Sequence, residues 1–406
     1  MAVRASWPAA RSFSIKPALA FRKAAAPRGP VESRDARHRP AIVSAGVADP
    51  VLDTLLLPFA DGLLPWPRVG GALLRGARAG AALQRQAWPG LVCATDLKPD
   101  ADALQRAGLP LAAGDDGRRH PLVLLLPPRQ REQARALFAR ALEELAPGGT
   151  LVACMPNREG AASGQADLAR LAGPLQVLSK HHCRVFWTQP LAGAADPTLA
   201  AQWRALDAPR PIADARVPGG RFRSRPGVFA WDRVDPASAL LAEHLPADLA
   251  GHVADLGAGW GYLAGQVLAR CPRVSALDLY EADARALSLA RDNLVAWGAG
   301  VPLAFHWHDV AAGLPRCYDA IVSNPPFHAG GRESRPDLGR AFIAAAAAAL
   351  QPGGRLWLVA NRQLPYEAAL AAGFAEVRTV VQRDGFKVIE ARVPAGRTGD
   401  DRGRHR

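Results

Sequence analysis

One arrangement of residues occurs twice along this chain of 406 residues. The first copy reads LLLPPRQ and then LAPGGTLVACMPNREG, and the second reads VSNPPFH and then LQPGGRLWLVANRQLP. Each copy places a strand, a Pro-Pro pair, a helix, a Pro-Gly-Gly turn and another strand in the same order. Because alternating strands and helices pack as a mainly parallel sheet, the repeat predicts a duplicated α/β domain.

The helices and strands of the second copy can be predicted most clearly from the sequence. Asp235 followed by Pro236 is a good helix start, with the aspartate as N-cap and the proline in the first turn. The last two predicted strands, 376–382 and 386–393, lie too close together for a helical crossover and must be antiparallel. A parallel sheet that ends in an antiparallel pair is the Rossmann-like layout of class I methyltransferases. We therefore predict two tandem domains of this type.

The first copy is predicted to be degenerate. It has no Asp-Leu-Gly-x-Gly-x-Gly loop, and Leu126 stands where the second copy has Asn324. We predict a basic arm at 1–45, a degenerate methyltransferase-like domain at 46–200, a linker at 201–227, a catalytic domain at 228–394 and a basic tail at 395–406. The segment 194–226, rich in Pro, Gly and Arg, is expected to be irregular.

The positive charge is unevenly distributed. Residues 1–45 contain nine Arg and Lys against two acidic residues, and residues 46–228 contain 22 against 16, whereas residues 229–393 contain 15 against 17. A basic surface favours an acidic partner such as nucleic acid. We expect the front half, the linker and the tails to hold it. Arg221, Arg223 and Arg225 in the linker either contact phosphate or are solvated.

A glycine-rich motif, Asp255-Leu256-Gly257-Ala258-Gly259-Trp260-Gly261, follows an apolar strand and opens a helix. Glycine lets the backbone turn tightly and approach a ligand at the positive end of the helix. Such a loop also fits dinucleotides. The acidic residues around it favour S-adenosylmethionine, with Asp255 holding the methionine end directly or through water.

Two further carboxylates are candidate cofactor ligands. Asp278 is predicted to close the second strand, where it can accept both hydroxyls of a ribose. Asp309 follows the third strand and is placed to accept from the adenine amino group. Each can also be a helix cap or a solvated loop residue.

The strongest signal is Asn324-Pro325-Pro326-Phe327-His328 after the fourth strand. An exocyclic amine is a poor nucleophile because its lone pair is delocalised. Two acceptors, the Asn324 side-chain oxygen and the Pro325 carbonyl, can bind its N–H groups and aim the lone pair at a methyl donor. The prolines stiffen the loop, Phe327 can stack on a planar target, and His328 is expected to orient the target or contact RNA.

Other residues indicate no metal, membrane or disulfide chemistry. The five cysteines are scattered and odd in number, and His181, His182 and Cys183 lack a matching ligand set. No apolar run reaches the ~20 residues that span a bilayer. We expect a cytoplasmic protein that is monomeric and binds no metal.

The residues at this point resemble a known family. PGVFAWDRVDPASALL, DLGAGWGYLA, VSNPPFH, GGRLWLVANRQLPY and GFKVIEARV are similar to bacterial ribosomal RNA small subunit methyltransferase C and its relatives that modify 23S rRNA. The similarity is strong over 226–393 and weaker over 120–190. It implies an inactive first domain, methylation of the N2 amine of a guanine, guanine contacts from Asn324, Pro325 and Phe327, and a ribosomal RNA or small-subunit partner.

Other functions remain open from the sequence. A protein glutamine methyltransferase that acts on release factors uses an Asn-Pro-Pro motif in the same way to bind a side-chain amide, although that family usually has Tyr after the prolines. A methyltransferase for small molecules or DNA adenine, and an RNA-binding factor that has lost turnover, are further alternatives. The intact motifs of the second half argue against an RNA-binding factor that has lost turnover.

Overall fold

The computed structural model describes residues 49–114, 117–295, 300–326 and 336–395. The predicted arm at 1–45, Phe327, His328 and residues 396–406 lie outside these ranges.

Two sheets dominate the described part of the chain. The first contains β1 (Ala72–Arg75), β2 (Leu91–Ala94), β3 (His120–Leu125), β4 (Leu145–Pro156), β5 (Leu175–Lys180) and β6 (Cys183–Thr188). Its strand order is β2-β1-β3-β4-β6-β5. The four strands β1 to β4 are parallel, and β6 and β5 complete the sheet as an antiparallel pair. Its helices are α1 (Pro50–Ala60), α2 (Ala81–Gln84), α3 (Lys98–Arg106), α4 (Arg131–Glu143), α5 (Ala161–Ala172) and α6 (Pro197–Arg204).

A short hairpin of β7 (Arg210–Pro211) and β8 (Arg223–Ser224) links the sheets. The expectation that 194–226 is irregular is therefore wrong in part, because α6 and this hairpin lie within it. Asp196 caps α6 by accepting from the Leu199 N–H at 2.8 Å, and Pro197 begins the helix. This is the same Asp-Pro start that predicted the helix at Pro236.

The second sheet contains β9 (Ala250–Leu256), β10 (Arg273–Glu281), β11 (Leu303–Trp307), β12 (Tyr318–Ser323), β13 (Leu350–Asn361), β14 (Glu376–Arg383) and β15 (Phe386–Arg392). Its order is β11-β10-β9-β12-β13-β15-β14, with β14 and β15 antiparallel as predicted. Its helices are α7 (Pro236–Glu243), α8 (Tyr262–Arg270), α9 (Ala284–Leu294), α10 (Pro336–Ala349) and α11 (Glu367–Gly373). The predicted parallel sheet that ends in an antiparallel strand pair is confirmed.

The two sheets follow one topology with one difference. The second sheet pairs β11 along β10 over five residues, whereas Cys93 of β2 makes only a single parallel bridge to Leu111 at the matching edge. The duplicated unit is thus reduced at one edge in the first half.

Both faces of the second sheet are covered. The neighbouring residues Val253 and Ala254 of β9 are fully buried and belong to different apolar clusters on opposite faces. Strands that are buried on both sides read as nearly continuous apolar runs. This agrees with the apolar strand that the sequence places before the glycine motif.

Equivalent loops of the two halves meet. The loop after β2 pairs with the loop after β10: the Lys98 N–H donates to the Ala282 carbonyl, and the Ala284 N–H donates to the Asp96 carbonyl, both at 2.9 Å. The Trp307 Nε1–H donates to the carbonyls of Ala282 (2.8 Å) and Asp96 (3.1 Å). The first half therefore holds the loop that begins where β10 ends.

Candidate active site

A cavity of about 410 Å³ lies at the carboxyl ends of the second sheet's parallel strands, where ligands bind in such folds. Its walls come from the loops after β9, β10, β11 and β12, from α10, and from Pro99 of the first half. The glycine motif and the Asn-Pro-Pro motif, predicted separately, both line it. A Cβ built on Gly257 would lie 3.9 Å from the Asn324 backbone oxygen, so the two elements are adjacent.

The glycine turn after β9 is shaped by two different requirements. Gly259 has a φ of 56°, and a Cβ there would meet no atom within 4 Å, so the cavity side of the turn stays open to a ligand. Gly261 has a φ of 92°, and a Cβ there would lie 3.3 Å from Ala290, so close packing against α9 requires its glycine. Beyond it, α8 directs its positive end at the cavity.

Asp255 lies one residue before the end of β9 and is fully buried. Among the described residues, no side chain hydrogen-bonds to its carboxylate oxygens, and the Ala264 backbone N–H, which lies near but outside good hydrogen-bond geometry, opposes the rise in its pKa. Burial raises the pKa of this carboxyl to about 7, and the nearby charge of Glu281 adds to the rise. A buried carboxyl with so few hydrogen bonds fits a site that a cationic or donor group of a ligand completes.

The expectation that Asp278 closes its strand is wrong, because β10 continues to Glu281. Asp278 is buried below the cavity, where the Tyr318 hydroxyl donates to it at 2.9 Å and His252 Nε2 lies 3.0 Å away. Burial alone would raise its pKa, but these two contacts outweigh burial and lower it. It does not line the cavity.

Glu281 occupies the position expected for Asp278. It ends β10, lines the cavity, and accepts the N–H of Gly259 and the N–H of Asp283, each at 2.8 Å. Burial of the carboxyl raises its pKa. The sequence contained a signal that we did not use: Asp283 caps α9, so the acidic residue two positions before it marks the strand end.

Asp309 follows β11 and lines the cavity. Its Oδ1 accepts the Ala311 N–H at 3.0 Å and caps a short 3₁₀ turn. The structure thus brings Asp309 to the expected place and also gives it the capping role that the sequence left open.

Asn324 begins the loop after β12. Its Nδ2 donates to Asp235 Oδ2 at 3.0 Å and to Ser238 Oγ at 2.8 Å. Its Oδ1 is buried and has no partner among the described residues. Pro325 and Pro326 follow along the cavity wall. The site can therefore present a buried acceptor beside the glycine turn.

The matching edge of the first sheet has a larger cavity of about 780 Å³. Leu126 lines it where the second half has Asn324, and β1 is followed by Gly76-Ala77-Arg78 in place of the glycine motif. A leucine side chain cannot accept a hydrogen bond, so this edge lacks the amine-binding arrangement.

Metal and membrane features are absent from the ranges that the structure covers. No group of three or more potential metal ligands occurs there, and the five cysteines are free thiols. No helix there is long and apolar enough to cross a bilayer.

Comparisons with known proteins match this geometry. A family model described as "Methyltransferase small domain" matches residues 219–390. The ribosomal RNA small subunit methyltransferase C of Pseudomonas paraeruginosa is 37% identical over 268 residues, which cover 66% of this chain and 77% of that protein. The protein of that name from Shewanella amazonensis is 32% identical, covering 66% and 76%.

Among solved structures, the T. thermophilus 16S rRNA N2 G1207 methyltransferase, in complex with AdoMet and guanosine, superposes with a TM-score of 0.70. It is 26% identical in sequence, and the alignment covers 86% of this chain and 93% of that one. The similarity therefore extends over both sheets.

Proposed function

Because the chain belongs to the ribosomal RNA small subunit methyltransferase C family, we propose that it methylates the exocyclic N2 amine of a guanine in 16S ribosomal RNA. The observation that carries this proposal is the buried Oδ1 of Asn324, which has no hydrogen-bond partner among the residues that the structure describes and lies in the cavity that the glycine turn also lines. The T. thermophilus relative, named for this reaction, was solved with AdoMet and guanosine.

The cofactor is S-adenosylmethionine, which supplies an electrophilic methyl group on a sulfonium. The residues of this cavity fit it. In our proposal Asp255, which lies buried beneath the glycine turn and does not itself line the cavity, holds the methionine end directly or through water. The turn of Gly257, Gly259 and Gly261 approaches the cofactor closely, and Asp309 accepts from the adenine amine. Glu281 replaces Asp278 as the carboxylate for the ribose hydroxyls, because Glu281 lines the cavity.

The protein's contribution to transfer is positional. Asn324 Oδ1 and the Pro325 carbonyl accept the two N–H groups of the guanine amine and aim its lone pair across the cavity toward the glycine turn. Pro326 restricts the loop, and Phe327 is proposed to stack on the base. Positioning of reactants accounts for several kcal/mol of a barrier. As the methyl leaves the sulfonium and bonds to the nitrogen, the acceptors stabilise the amine that becomes positive, and the amine then releases one N–H proton to water.

We place RNA binding in the front half, the linker and the tails. The excess of Arg and Lys over acidic residues lies in 1–45 and 46–228, and phosphate contacts offset the few kcal/mol that extrusion of a base from structured RNA costs. The domain bounds proposed are 46–200 for the first half and 228–394 for the catalytic domain, in a cytoplasmic, monomeric enzyme that uses no metal.

The direct test is methyl transfer from labelled S-adenosylmethionine to purified 30S subunits, 50S subunits, free 16S rRNA and a release factor. We expect label in 16S rRNA, on N2 of one guanine after nuclease digestion. Label in the release factor or in 23S rRNA alone would overturn the assignment.

The Asn324→Ala variant links this activity to the proposed site. It should bind S-adenosylmethionine as the wild type does and lose most of its turnover, because it removes the amine acceptor, together with the Nδ2 contacts to Asp235 and Ser238, and leaves the proposed cofactor ligands in place. Unchanged turnover would remove Asn324 from the mechanism.

A further inference from the structure

Among the described residues, the hydrogen bonds to the Asn324 carboxamide come from its Nδ2 side alone. Its Nδ2 contacts two acceptors on the first turn of α7, Asp235 Oδ2 at 3.0 Å and Ser238 Oγ at 2.8 Å. The same Asp235 Oδ2 accepts the Ser238 N–H at 2.8 Å, so its position is fixed by the helix that it caps. Ser238 is buried, and Pro236 begins the helix between the two residues.

The chemistry of these partners sets which end of the amide faces the cavity. The two ends of a carboxamide are nearly equal in shape, so hydrogen bonding decides its orientation. An ionised carboxylate only accepts, which selects Nδ2 as its neighbour and turns Oδ1 away. With the amide reversed, an N–H would face the N–H groups of an incoming amine, and transfer could not proceed.

We propose that Asp235, assisted by Ser238, is a positioning residue that locks Asn324 with its oxygen toward the substrate amine. The proposal rests on the function proposed above and extends it to residues that do not touch the substrate. Asp235 also polarises the amide that it accepts from, which makes Oδ1 a better acceptor. A helix cap at the catalytic loop thereby becomes part of the substrate-binding arrangement.

Asp235→Asn is the informative change. Asparagine caps helices about as well as aspartate, so α7 should persist. Its side chain can donate as well as accept, however, and the reversed amide of Asn324 becomes possible. A hydrogen bond to a charged group is worth enough to predict a fall in kcat of about 10- to 100-fold. The dissociation constant of S-adenosylmethionine and the KM for RNA should stay within about 3-fold.

The matched control is Asp196→Asn. Asp196 also precedes a proline and caps α6 by accepting the Leu199 N–H at 2.8 Å, but it lies outside the cavity. The same chemical change there should leave kcat unaltered. Ser238→Ala, which removes one of the two acceptors, should give a smaller loss than Asp235→Asn.

A double-mutant cycle separates orientation from simple support of the fold. If Asp235 acts through Asn324, then Asp235→Asn should cause little further loss in the Asn324→Ala background. An equal loss in both backgrounds would overturn the proposal, and so would wild-type kcat in Asp235→Asn. The rates are compared on whichever amine substrate the wild type methylates, so a wrong RNA assignment leaves this test intact.

Discussion

Replacing Glu281 should weaken cofactor binding, whereas replacing Asp278 should lower the stability of the fold. The Glu281 carboxylate has about four lone-pair sites, of which Gly259 and Asp283 N–H groups occupy two. The remaining sites match the two hydroxyls of a ribose. In Glu281→Gln the amide nitrogen would face a backbone N–H or a ribose hydroxyl that now lacks its acceptor.

The expected magnitude follows from these contacts. Loss of a hydrogen bond to a charged group costs about 2 kcal/mol, which corresponds to roughly 30-fold in the dissociation constant of S-adenosylmethionine. Asp278→Asn should instead leave this constant within about 3-fold. It weakens contacts with His252 and Tyr318 below the cavity, and should lower the free energy of unfolding by about 1–3 kcal/mol.

Isothermal titration calorimetry with S-adenosylmethionine measures the first effect, and denaturant unfolding of the cofactor-free protein measures the second. Both variants are isosteric amides, so each serves as the control for the other. A larger affinity loss in Asp278→Asn than in Glu281→Gln would refute our assignment of the ribose carboxylate.

Three further predictions concern the pH response, the arm and the contact between the halves. The raised pKa of Asp255 means that the folded, cofactor-free protein keeps a proton that the unfolded chain loses, so the contribution of this carboxyl to stability should fall as the pH rises from 3.8 to about 7. Thermal unfolding should therefore show Asp255→Asn gaining stability relative to the wild type across this range, and a difference that does not change with pH would contradict the assignment. Deleting residues 1–45 should weaken RNA binding and flatten its salt dependence without changing cofactor affinity, as filter binding and calorimetry can verify; loss of folding would contradict this. Trp307→Phe removes the N–H that is shared by the Asp96 and Ala282 carbonyls. It should lower the free energy of unfolding by about 1 kcal/mol per bond lost and weaken cofactor binding. An unchanged cofactor affinity would show that the loop holds its place without this side chain.

The sequence predicted those parts of the site that depend on local pattern. The glycine motif and Asn324 each follow an apolar strand, and parallel strands end at one edge, so their proximity followed from topology alone. The antiparallel pair β14 and β15 was predicted from the length of its connection.

The features of the site that the sequence did not predict depend on where a strand ends or on contacts between residues far apart in the sequence. The run Leu277 to Glu281 contains no Gly or Pro, so nothing in the pattern showed that the strand passes Asp278 and ends at Glu281. The contact of Asn324 with Asp235 joins residues 89 apart in sequence. The sequence predicted Asp235 as a helix N-cap and Asn324 as an acceptor for the amine, and no pattern indicated that the two side chains are in contact.

The pairing of the loop after β2 with the loop after β10 bears on how a duplicated chain can change. Duplication normally frees one copy to accumulate substitutions. Here the copy without the reaction's residues is still tied, through the Lys98 and Asp96 backbone, to the loop that follows Glu281. Substitutions that shift the loop after β2 would therefore move a wall of the cavity in the second half, and a fragment that holds only the second half would lack these two backbone hydrogen bonds.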